Sequence, residues 1–442
     1  MELEAQETKG LFRRNGKTLF ALALGYFVDQ GEGQAMSVLS PILQQIWNLS
    51  LEQIGLIGTI RSLLQAISAP FWGYAADKVS RKKVIIFGTG IWGIWTTVCG
   101  LTQNYHQLLV VRAISGLGLG CLMPATFSLM SDVFPPSKRG KALGILEGMG
   151  VLGIVVGVLA LGTVATPDLW RWGFIILGLM SVLTGVFIAI FVKEPVRGAA
   201  EPELMGKINE ENSKLFGVKF SDIFKVLSIP TVWVAILQGL AGSMPWVVMG
   251  LYFINWMVTV RGMEVGNASV AFAIIVIGTA ASNIIGGILG DWAEEKSPKY
   301  GRVIVGQVSI IAGIPMSYVM LTMTADWPLW AFILWCLLTA LLISWPGKGA
   351  KEPMMQGAVQ PELRSTAFAM TTFIESGFAA LVAWFAGRLA DQIGFTEALI
   401  WTIPVPWIIC AALFSLFYWA YPRDSKRLRE MMAKRAEELD GV

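Results

Sequence analysis

The sequence predicts an all-α polytopic membrane protein with twelve transmembrane helices, arranged as two pseudo-symmetric six-helix bundles. The first observation is composition: 55% of the 442 residues are hydrophobic and only 15% are charged, whereas soluble domains carry about 25% charged residues. The second is the recurrence of apolar runs long enough to cross a bilayer. The third is a weak internal repeat that divides the chain near its middle.

Twelve apolar runs, separated by charged or turn-forming residues, are predicted to cross the membrane. A helix needs about 20 mostly apolar residues to span about 30 Å of hydrocarbon. Predicted spans 1 to 12 cover residues 18–46, 53–76, 84–103, 106–131, 140–165, 170–192, 231–259, 266–290, 303–323, 328–357, 365–391 and 397–421. Proline and glycine interrupt the tenth, so we expect a broken helix there.

The distribution of lysine and arginine predicts the orientation of these spans. Both termini and the loops after even-numbered spans, counted with the two adjoining residues of each span, hold 27 of the 34 basic residues, whereas the opposite loops counted in the same way hold only Arg171 and Arg261. Basic residues stay on the cytoplasmic side during insertion. We therefore expect both termini in the cytoplasm, in a multi-pass protein of the inner or plasma membrane. The net charge of +3 does not indicate a nucleic-acid partner.

A polar stretch near the middle of the chain, residues 193–230, is the predicted cytoplasmic linker between the bundles. The other predicted domains are an N-terminal cytoplasmic segment, two six-helix bundles and a C-terminal cytoplasmic tail, over 1–17, 18–192, 231–421 and 422–442. The loop after span 2 is weakly repeated after span 8, with an Asp that follows a Gly by four residues and then basic residues. Parallel repeats of this kind are typical of two-bundle transporters.

Three motifs in these loops and in span 4 resemble the signatures of the major facilitator superfamily. The loop after span 2 contains Gly73, Asp77 and Arg81, similar to the GxxxDxxGR[RK] signature. Span 4 contains Arg112 followed by Gly116 and Gly118, similar to the RxxxGxG pattern, and its exit carries Asp132 and Arg139 in a similar form. The resemblance implies two six-helix bundles around a central cavity and secondary transport by alternating access.

A narrower resemblance is to the spinster-type lysolipid and sphingolipid transporters. It depends on the segments 69–74 in span 2, 27–29 in span 1 and 194–198 after span 6. This resemblance implies an amphipathic, lysolipid-like solute.

Charged side chains within predicted spans are the candidates for coupling and for substrate binding, because each costs about 2.5–3.5 kcal/mol at the bilayer centre without a partner or a water-filled path. The proton-coupling candidates are the acids Asp29, Glu32, Glu147 and Glu375. By depth, Asp29 and Glu32 of span 1 can meet Arg61 of span 2 and Arg112 of span 4. A structural ion pair that only fixes helix packing is the alternative.

The break in span 10 supplies the second group of candidates. Lys348 and Glu352 are spaced i,i+4 and are expected to pair if that stretch is helical. Lys351 then either pairs with Glu147 or Glu375, or binds an anionic group of the substrate. Polar and aromatic residues of spans 7 and 10 are expected to line an amphipathic cavity. The substrate-binding candidates are Arg61, Arg112, Lys348, Lys351, Glu352, Gln238, Trp246 and Trp345.

The motif residues at the cytoplasmic ends of the spans are interpreted as a conformational latch. An acid at the end of one helix can favour the N-terminus of its neighbour. A solvated loop that only enforces topology is the alternative. The latch candidates are Gly73, Asp77, Arg81, Asp132, Arg139, Asp291 and Arg302.

The chain is therefore expected to be a secondary active transporter of a small amphipathic or anionic solute, with proton coupling. The alternatives are an exporter of drugs or organic acids, a uniporter, or a transporter-like receptor. An enzyme is not expected, since the single His and the scattered four Cys offer no metal site or triad, and no GxxxxGK[ST] loop is present. We predict no cofactor and no metal, a monomer, and a small-molecule substrate and the lipid bilayer as partners.

Overall fold

The structure, a computed structural model, describes residues 2–195, 226–323, 325–360 and 363–440. Within these ranges every regular element is a helix, as the composition predicts. The chain divides into two compact units. One comprises Met1–Gly217 with Glu264–Ala273, and the other comprises Val218–Met263 with Ile274–Val442. Most of the predicted linker lies outside the described residues, so the domain boundaries derived from it stay predictions.

The helices before the linker belong to the first unit. They are Glu2–Gly33 (α1), Ala35–Trp47 (α2), Leu51–Lys78 (α3), Arg81–Ile85 (α4), Gly93–Cys99 (α5), Tyr105–Leu119 (α6), Leu122–Val133 (α7), Pro136–Val164 (α8) and Trp170–Phe191 (α9), with a π-helical turn over Ile86–Ile91 between α4 and α5.

The helices after the linker are Pro230–Thr259 (α10), Val265–Lys296 (α11), Gly301–Thr322 (α12), Leu329–Ile343 (α13), Glu352–Ala358 (α14), Arg364–Ile393 (α15), Phe395–Thr402 (α16), Pro404–Phe414 (α17) and Phe417–Asp440 (α18). A second π-helical turn, Pro346–Lys351, joins α13 to α14. The predicted break in span 10 is therefore confirmed as this π turn, where Pro346 lacks an N–H and the flanking glycines tolerate the distortion.

Four other predicted spans are also interrupted, which the sequence did not predict. Span 3 contains the first π turn, span 12 is divided into α16, α17 and α18, and spans 1 and 4 are broken as well. Span 1 is not one run over 18–46, because the helix begins at Glu2 and is interrupted at Gln34. Span 4 is divided near Gly120, where a Cβ atom would lie 2.6 Å from the Ser68 hydroxyl of α3. A glycine at this point allows close packing and weakens the helix by about 1 kcal/mol.

Nine helical stretches in the described ranges are long and apolar enough to cross a membrane. They correspond to predicted spans 2 and 5 to 12. Spans 1, 3 and 4 are not among them because breaks, or the charged start of α1, leave each apolar piece short. The twelve-span count and the cytoplasmic termini stay predictions.

Glycines set the close helix packing that positions the charged residues of the first unit. A Cβ atom on Gly157 of α8 would lie 2.6 Å from the Cα of Gly31 in α1. A Cβ atom on Gly116 of α6 would lie 2.4 Å from the carbonyl oxygen of Arg61 in α3. Small residues of this kind let helix backbones approach closely. The packing therefore brings the charged side chains of α1, α3 and α6 together.

Candidate functional site

A buried charge cluster lies within the first unit, where one carboxylate is placed between two guanidinium groups. Glu32 Oε1 lies 3.5 Å from Arg112 Nη1 and 4.0 Å from Arg61 Nη2. Glu32 and Arg112 are each only 1% exposed. The Arg112 guanidinium also lies 5.5 Å from the ring centroid of Phe174, within range of a cation–π contact. Three helices, α1, α3 and α6, are thus tied together by one acid.

Asp29 and Glu147 have different surroundings from Glu32. Asp29 accepts a hydrogen bond from the side chain of its neighbour Gln30 at 3.1 Å, and no ion pair joins it to Lys or Arg in the described part of the chain. Glu147, on α8, is exposed and accepts a hydrogen bond from the Tyr26 hydroxyl at 3.5 Å. Of the two acids predicted on span 1, Glu32 is the one held by arginine.

The second unit contains a cavity of about 390 Å³. Its walls come from α10, α11, α12, the second π turn, α15 and α17. The volume lies within the roughly 300–1,000 Å³ that is usual for small-molecule sites. Polar, aromatic and charged side chains share the lining, which includes Gln238, Trp246, Asn283, Lys351, Glu375, Trp407 and Cys410.

An ion pair between Lys351 and Glu375 forms part of this lining. The Lys351 ammonium, on the π turn, donates to both oxygens of Glu375 on α15, at 2.7 and 2.9 Å. The two side chains are 17% and 16% exposed, so the pair is partly buried and still reaches the cavity. The π turn positions the lysine, because an extra residue in the helical turn redirects the side chains that follow.

Aromatic rings form the apolar part of the cavity. The rings of Trp246 on α10 and Trp407 on α17 lie 6.4 Å apart, inclined at 67°. Beside them the Cys410 thiol lies 3.5 Å from the side-chain oxygen of Gln238, whose amide nitrogen donates to the Ala235 carbonyl. The lining of the cavity thus combines aromatic rings with an ion pair.

A second charge cluster, the Arg81 cluster, joins the start of α4 to the exits from α7 and α9. Arg81 forms ion pairs with Asp132 and with Glu194, the latter at 3.2 Å from Nε, and donates to the Pro195 carbonyl at 2.9 Å. The Glu194 carboxylate also accepts the Arg81 backbone N–H at 2.8 Å and the Ser80 hydroxyl. Arg81 is buried, and its side chain links three segments of the chain: the start of α4, the end of α7 and the residues that follow α9.

The electrostatics of the Arg81 cluster favour the charged form of its acid. Burial by itself would raise the pKa of Glu194, but hydrogen bonds from Ser80 and Arg81 and the positive charge of Arg81 hold that pKa below its usual range. Glu194 is therefore expected to stay ionised and bound to Arg81 over the neutral and mildly acidic range.

A corresponding Arg302 cluster lies in the second unit. Arg302, at the start of α12, forms ion pairs with Asp291 at 2.5 Å and Glu294 at 2.7 Å, both near the end of α11. It also donates to the Gly349 carbonyl of the π turn at 3.1 Å, and Glu294 accepts the Tyr421 hydroxyl at 3.4 Å. Arg302 therefore ties the end of α11 to the π turn that carries Lys351.

The geometry combines buried ion pairs, broken helices and a partly polar cavity, and comparison with known families identifies the kind of protein that this is. The family model described as Major Facilitator Superfamily matches residues 20–347. The chain belongs to this superfamily. It is thus a multi-pass transporter and not an enzyme, as the motifs predict.

Several superfamily transporters are similar to this chain. The gentisate transporter of Corynebacterium glutamicum is 28% identical over 320 residues, covering 70% of this chain and 69% of the relative. The multidrug resistance protein MdtG of Escherichia coli is 30% identical over 320 residues, covering 69% of this chain and 72% of the relative.

A crystal structure of a bacterial homologue to the human lysosomal transporter Spinster, inward-facing and occupied, has a TM-score of 0.77 and 19% identity. It covers 92% of this chain and 97% of that chain. At this identity the likeness shows the fold alone, so the spinster-type substrate stays a prediction.

The structure divides the predicted binding residues in the second unit of this transporter between the cavity and positions outside it. Gln238, Trp246 and Lys351 line the cavity. Lys348 pairs with Glu352 at 2.9 Å, as their spacing predicts, but Lys348 is 57% exposed and neither residue belongs to the lining. Trp345 also lies outside the lining; its indole donates to the Leu341 carbonyl one turn earlier, and its backbone packs against Gly286.

The predicted latch residues fall partly outside the described part of this transporter. Arg81 pairs with Asp132, and Arg302 pairs with Asp291, each within its own unit. Gly73 lies in α3, where nothing would lie within 4 Å of a Cβ atom, and Arg139 lies in the first turn of α8. The side chain of Asp77 is outside the described residues, so its part in the latch stays a prediction.

Sequence reasoning missed several residues that complete these sites. Glu194 and Glu294 bind the two latch arginines, and Trp407 and Gly239 belong to the cavity. Glu294 follows Asp291 by three residues on one helix and could have been recognised from that spacing. The others carry no local signal, because their roles depend on helices that are distant in sequence.

Proposed function

We propose that this Major Facilitator Superfamily transporter carries a small organic anion with an aromatic or amphipathic body, and that transport is coupled to protons. The cavity of the second unit is the observation that carries the proposal. Its lining combines Lys351 with Trp246 and Trp407, which matches a solute with a carboxylate at one end and an apolar surface at the other. Ligand pockets commonly combine mostly apolar walls with a few polar groups that fix orientation.

The relatives support an organic anion as the substrate class. The gentisate transporter of Corynebacterium glutamicum is named for an aromatic carboxylate. Multidrug extrusion is the second candidate, because MdtG is similarly close to this chain. The two candidates use different halves of the ion pair in the lining: an anion would bind Lys351, whereas a lipophilic cationic drug would bind Glu375.

The intramembrane acids support coupling to protons. Asp29, Glu32, Glu147 and Glu375 remain the candidates, and two of them are already held by basic partners, Glu32 by arginines and Glu375 by Lys351. An acid whose partner changes during transport alters its affinity for a proton, which is the requirement for linkage. The Arg81 and Arg302 clusters would then act as the latch, releasing and re-forming as the protein alternates between its states.

Counterflow into proteoliposomes tests the substrate class. Vesicles loaded with unlabelled gentisate, benzoate, lysophosphatidylcholine or tetraphenylphosphonium are supplied with the same compound in labelled form, with and without a pH gradient. We expect counterflow of the aromatic carboxylates and their accumulation when the gradient is imposed. Counterflow of tetraphenylphosphonium alone would establish the drug-exporter alternative, and counterflow of the lysolipid alone the spinster-type one.

A matched pair of lysine variants tests the site. Lys351→Gln removes the cavity cation, and we expect a roughly 10- to 100-fold weaker half-saturation, which is the effect of losing one hydrogen bond to a charged group. Lys348→Gln removes an exposed lysine from the same π turn and should leave transport unchanged. Equal effects of the two substitutions would contradict the placement of the anion at Lys351.

A further inference from the structure

We propose that Glu375 takes up the coupling proton when a substrate carboxylate replaces it at Lys351. We also propose that Gly239 is a positioning residue, which leaves room for the Glu375 carboxylate beside Lys351. The inference rests on the proposed anion transport and assigns its proton site. It selects one acid among four candidates and adds a residue that has no side chain of its own.

The Lys351 ammonium group is already bound by Glu375. Lys351 has three N–H donors and directs two of them at the two oxygens of Glu375, at 2.7 and 2.9 Å. Both residues line the cavity, so a solute carboxylate that enters it reaches the same ammonium group. Glu375 therefore occupies the position that the anion needs.

Glu375 has polar and charged neighbours on three other helical elements. The charges of Lys351, on the π turn, and of Glu352, at the start of α14, act on Glu375, and the Cys410 thiol of α17 lines the same cavity. The Glu352 carboxylate is already bound by Lys348. One cation and one carboxylate thus face each other inside the unit.

Among the described residues, the other elements that pack on α15 bring no further charge to this pair. Tyr252 of α10 donates to the Ala383 carbonyl about two turns further along α15. Glu397 of α16 lies beside Gly394, beyond the far end of α15. In the described residues Lys351 is thus the one cation with which Glu375 forms an ion pair.

Charge balance then links the proton to the anion. Before binding, Lys351 and Glu375 are neutral together. An added carboxylate leaves the site with one excess negative charge in a partly buried place, which is unfavourable. When Glu375 binds a proton it releases the ammonium group, the anion takes its place, and the site is neutral again. One proton is taken up for each anion bound.

The backbone of Gly239 lies directly against the Glu375 carboxylate. A Cβ atom on Gly239 of α10 would lie 1.8 Å from Glu375 Oε1 and 2.4 Å from its carboxyl carbon. To reach ordinary van der Waals contact at 3.4 Å, that oxygen would have to move away by about 1.6 Å. Because this oxygen is at the end of a flexible side chain, the carboxylate would turn or shift away from the position in which both of its oxygens contact Lys351. The absence of a side chain at 239 therefore leaves room for that two-oxygen contact.

Calorimetry of benzoate binding to the purified full-length protein tests the exchange. Titrations between pH 5.5 and 8.5, in buffers with different heats of ionisation, give affinity and proton uptake together. For the parent protein we expect about one proton per benzoate and an affinity that falls about tenfold per pH unit where Glu375 is ionised. Glu375→Gln should bind benzoate with no proton uptake and no pH dependence over this range.

Gly239→Ala tests whether Gly239 positions Glu375, while both charged residues are kept. We expect less than half of the parental proton uptake and tighter binding at pH 8.5, because Lys351 is released in advance. Gly250→Ala is the matched control on the same helix, since nothing lies within 4 Å of a Cβ atom there. It should reproduce the parental pH profile.

The outcomes separate the inference from the proposed function. If the parent protein binds neither benzoate nor gentisate, the anion-transport proposal fails and the exchange fails with it. Benzoate binding without proton uptake overturns the exchange alone. Full proton uptake in Glu375→Gln that disappears in Asp29→Asn would place the proton site in the first unit and overturn it. If Gly239→Ala shows the parental pH dependence of benzoate binding and proton uptake, Gly239 does not position Glu375.

Discussion

Replacing Glu32 with Gln tests whether the buried cluster holds the first unit together. At an effective dielectric constant of about 20, charges 3.5 and 4.0 Å apart attract by about 5 and about 4 kcal/mol. Desolvation offsets much of this attraction in the intact cluster. Removing the acid leaves Arg61 and Arg112 facing each other without compensation. We expect a loss of about 3–5 kcal/mol of unfolding free energy, as for other broken buried pairs.

Unfolding in mixed micelles of mild detergent and increasing dodecyl sulfate measures this loss. Glu352→Gln is the control, because its partner Lys348 is largely exposed and such pairs contribute about 0.2–1 kcal/mol. A double-mutant cycle with Arg112→Gln isolates the pair. We expect a coupling energy of about 1–3 kcal/mol, because the second substitution relieves part of the repulsion that the first one creates.

Two results would refute this reasoning. The cluster would not be a packing device if Glu32→Gln cost no more than Glu352→Gln. Additive losses in the cycle would show that Glu32 and Arg112 do not interact in the folded protein. In that case the 3.5 Å separation has no energetic consequence, and Glu32 becomes available as a proton-coupling group.

Three further predictions concern stability. Asp424→Ala should cost about 1–2 kcal/mol, the usual effect of losing a helix N-cap, because this buried carboxylate accepts both the backbone N–H and the hydroxyl of Thr231, at 2.8 and 2.7 Å, in the first turn of α10. Glu194→Gln should cost about 1–2 kcal/mol at pH 7, below the full effect of a charged hydrogen bond because the side chain is a quarter exposed. The lowered pKa of Glu194 means that this contribution is present above its usual value of 4.5 and is lost as the pH falls through the lower folded value, so the two proteins should converge in acid. Gly116→Ala should cost about 1–3 kcal/mol by overpacking, because the new Cβ would meet the Arg61 carbonyl oxygen at 2.4 Å.

The same unfolding assay measures all three, each against a control. Glu430→Ala, at an exposed position on α18, should leave stability within about 0.5 kcal/mol of the parent. Gly144→Ala on α8 meets nothing within 4 Å and should not destabilise. An Asp424→Ala protein as stable as Glu430→Ala, a Gly116→Ala protein as stable as Gly144→Ala, or a Glu194→Gln deficit that persists at pH 3 would contradict the corresponding prediction.

The sequence predicted the features that depend on one segment at a time. An apolar run of about 20 residues has few alternatives to a membrane helix, since every backbone group must be bonded internally. The fold class and the superfamily followed from such runs and from the motifs around Asp77, Arg112 and Asp132. The break in span 10 followed from proline, whose effect on the helix is also local.

The tertiary structure decided which charges meet. Depth in the membrane follows from the rise along a helix, so Asp29 and Glu32 were equivalent candidates, as were Glu147 and Glu375. The direction in which each side chain faces depends on how the helices pack. That packing places Glu32 between two arginines and Glu375 against Lys351. It also places the Glu375 carboxylate against Gly239, which lies 136 positions earlier in the chain. A contact between two helices depends on the surfaces of both, so neither segment predicts it alone.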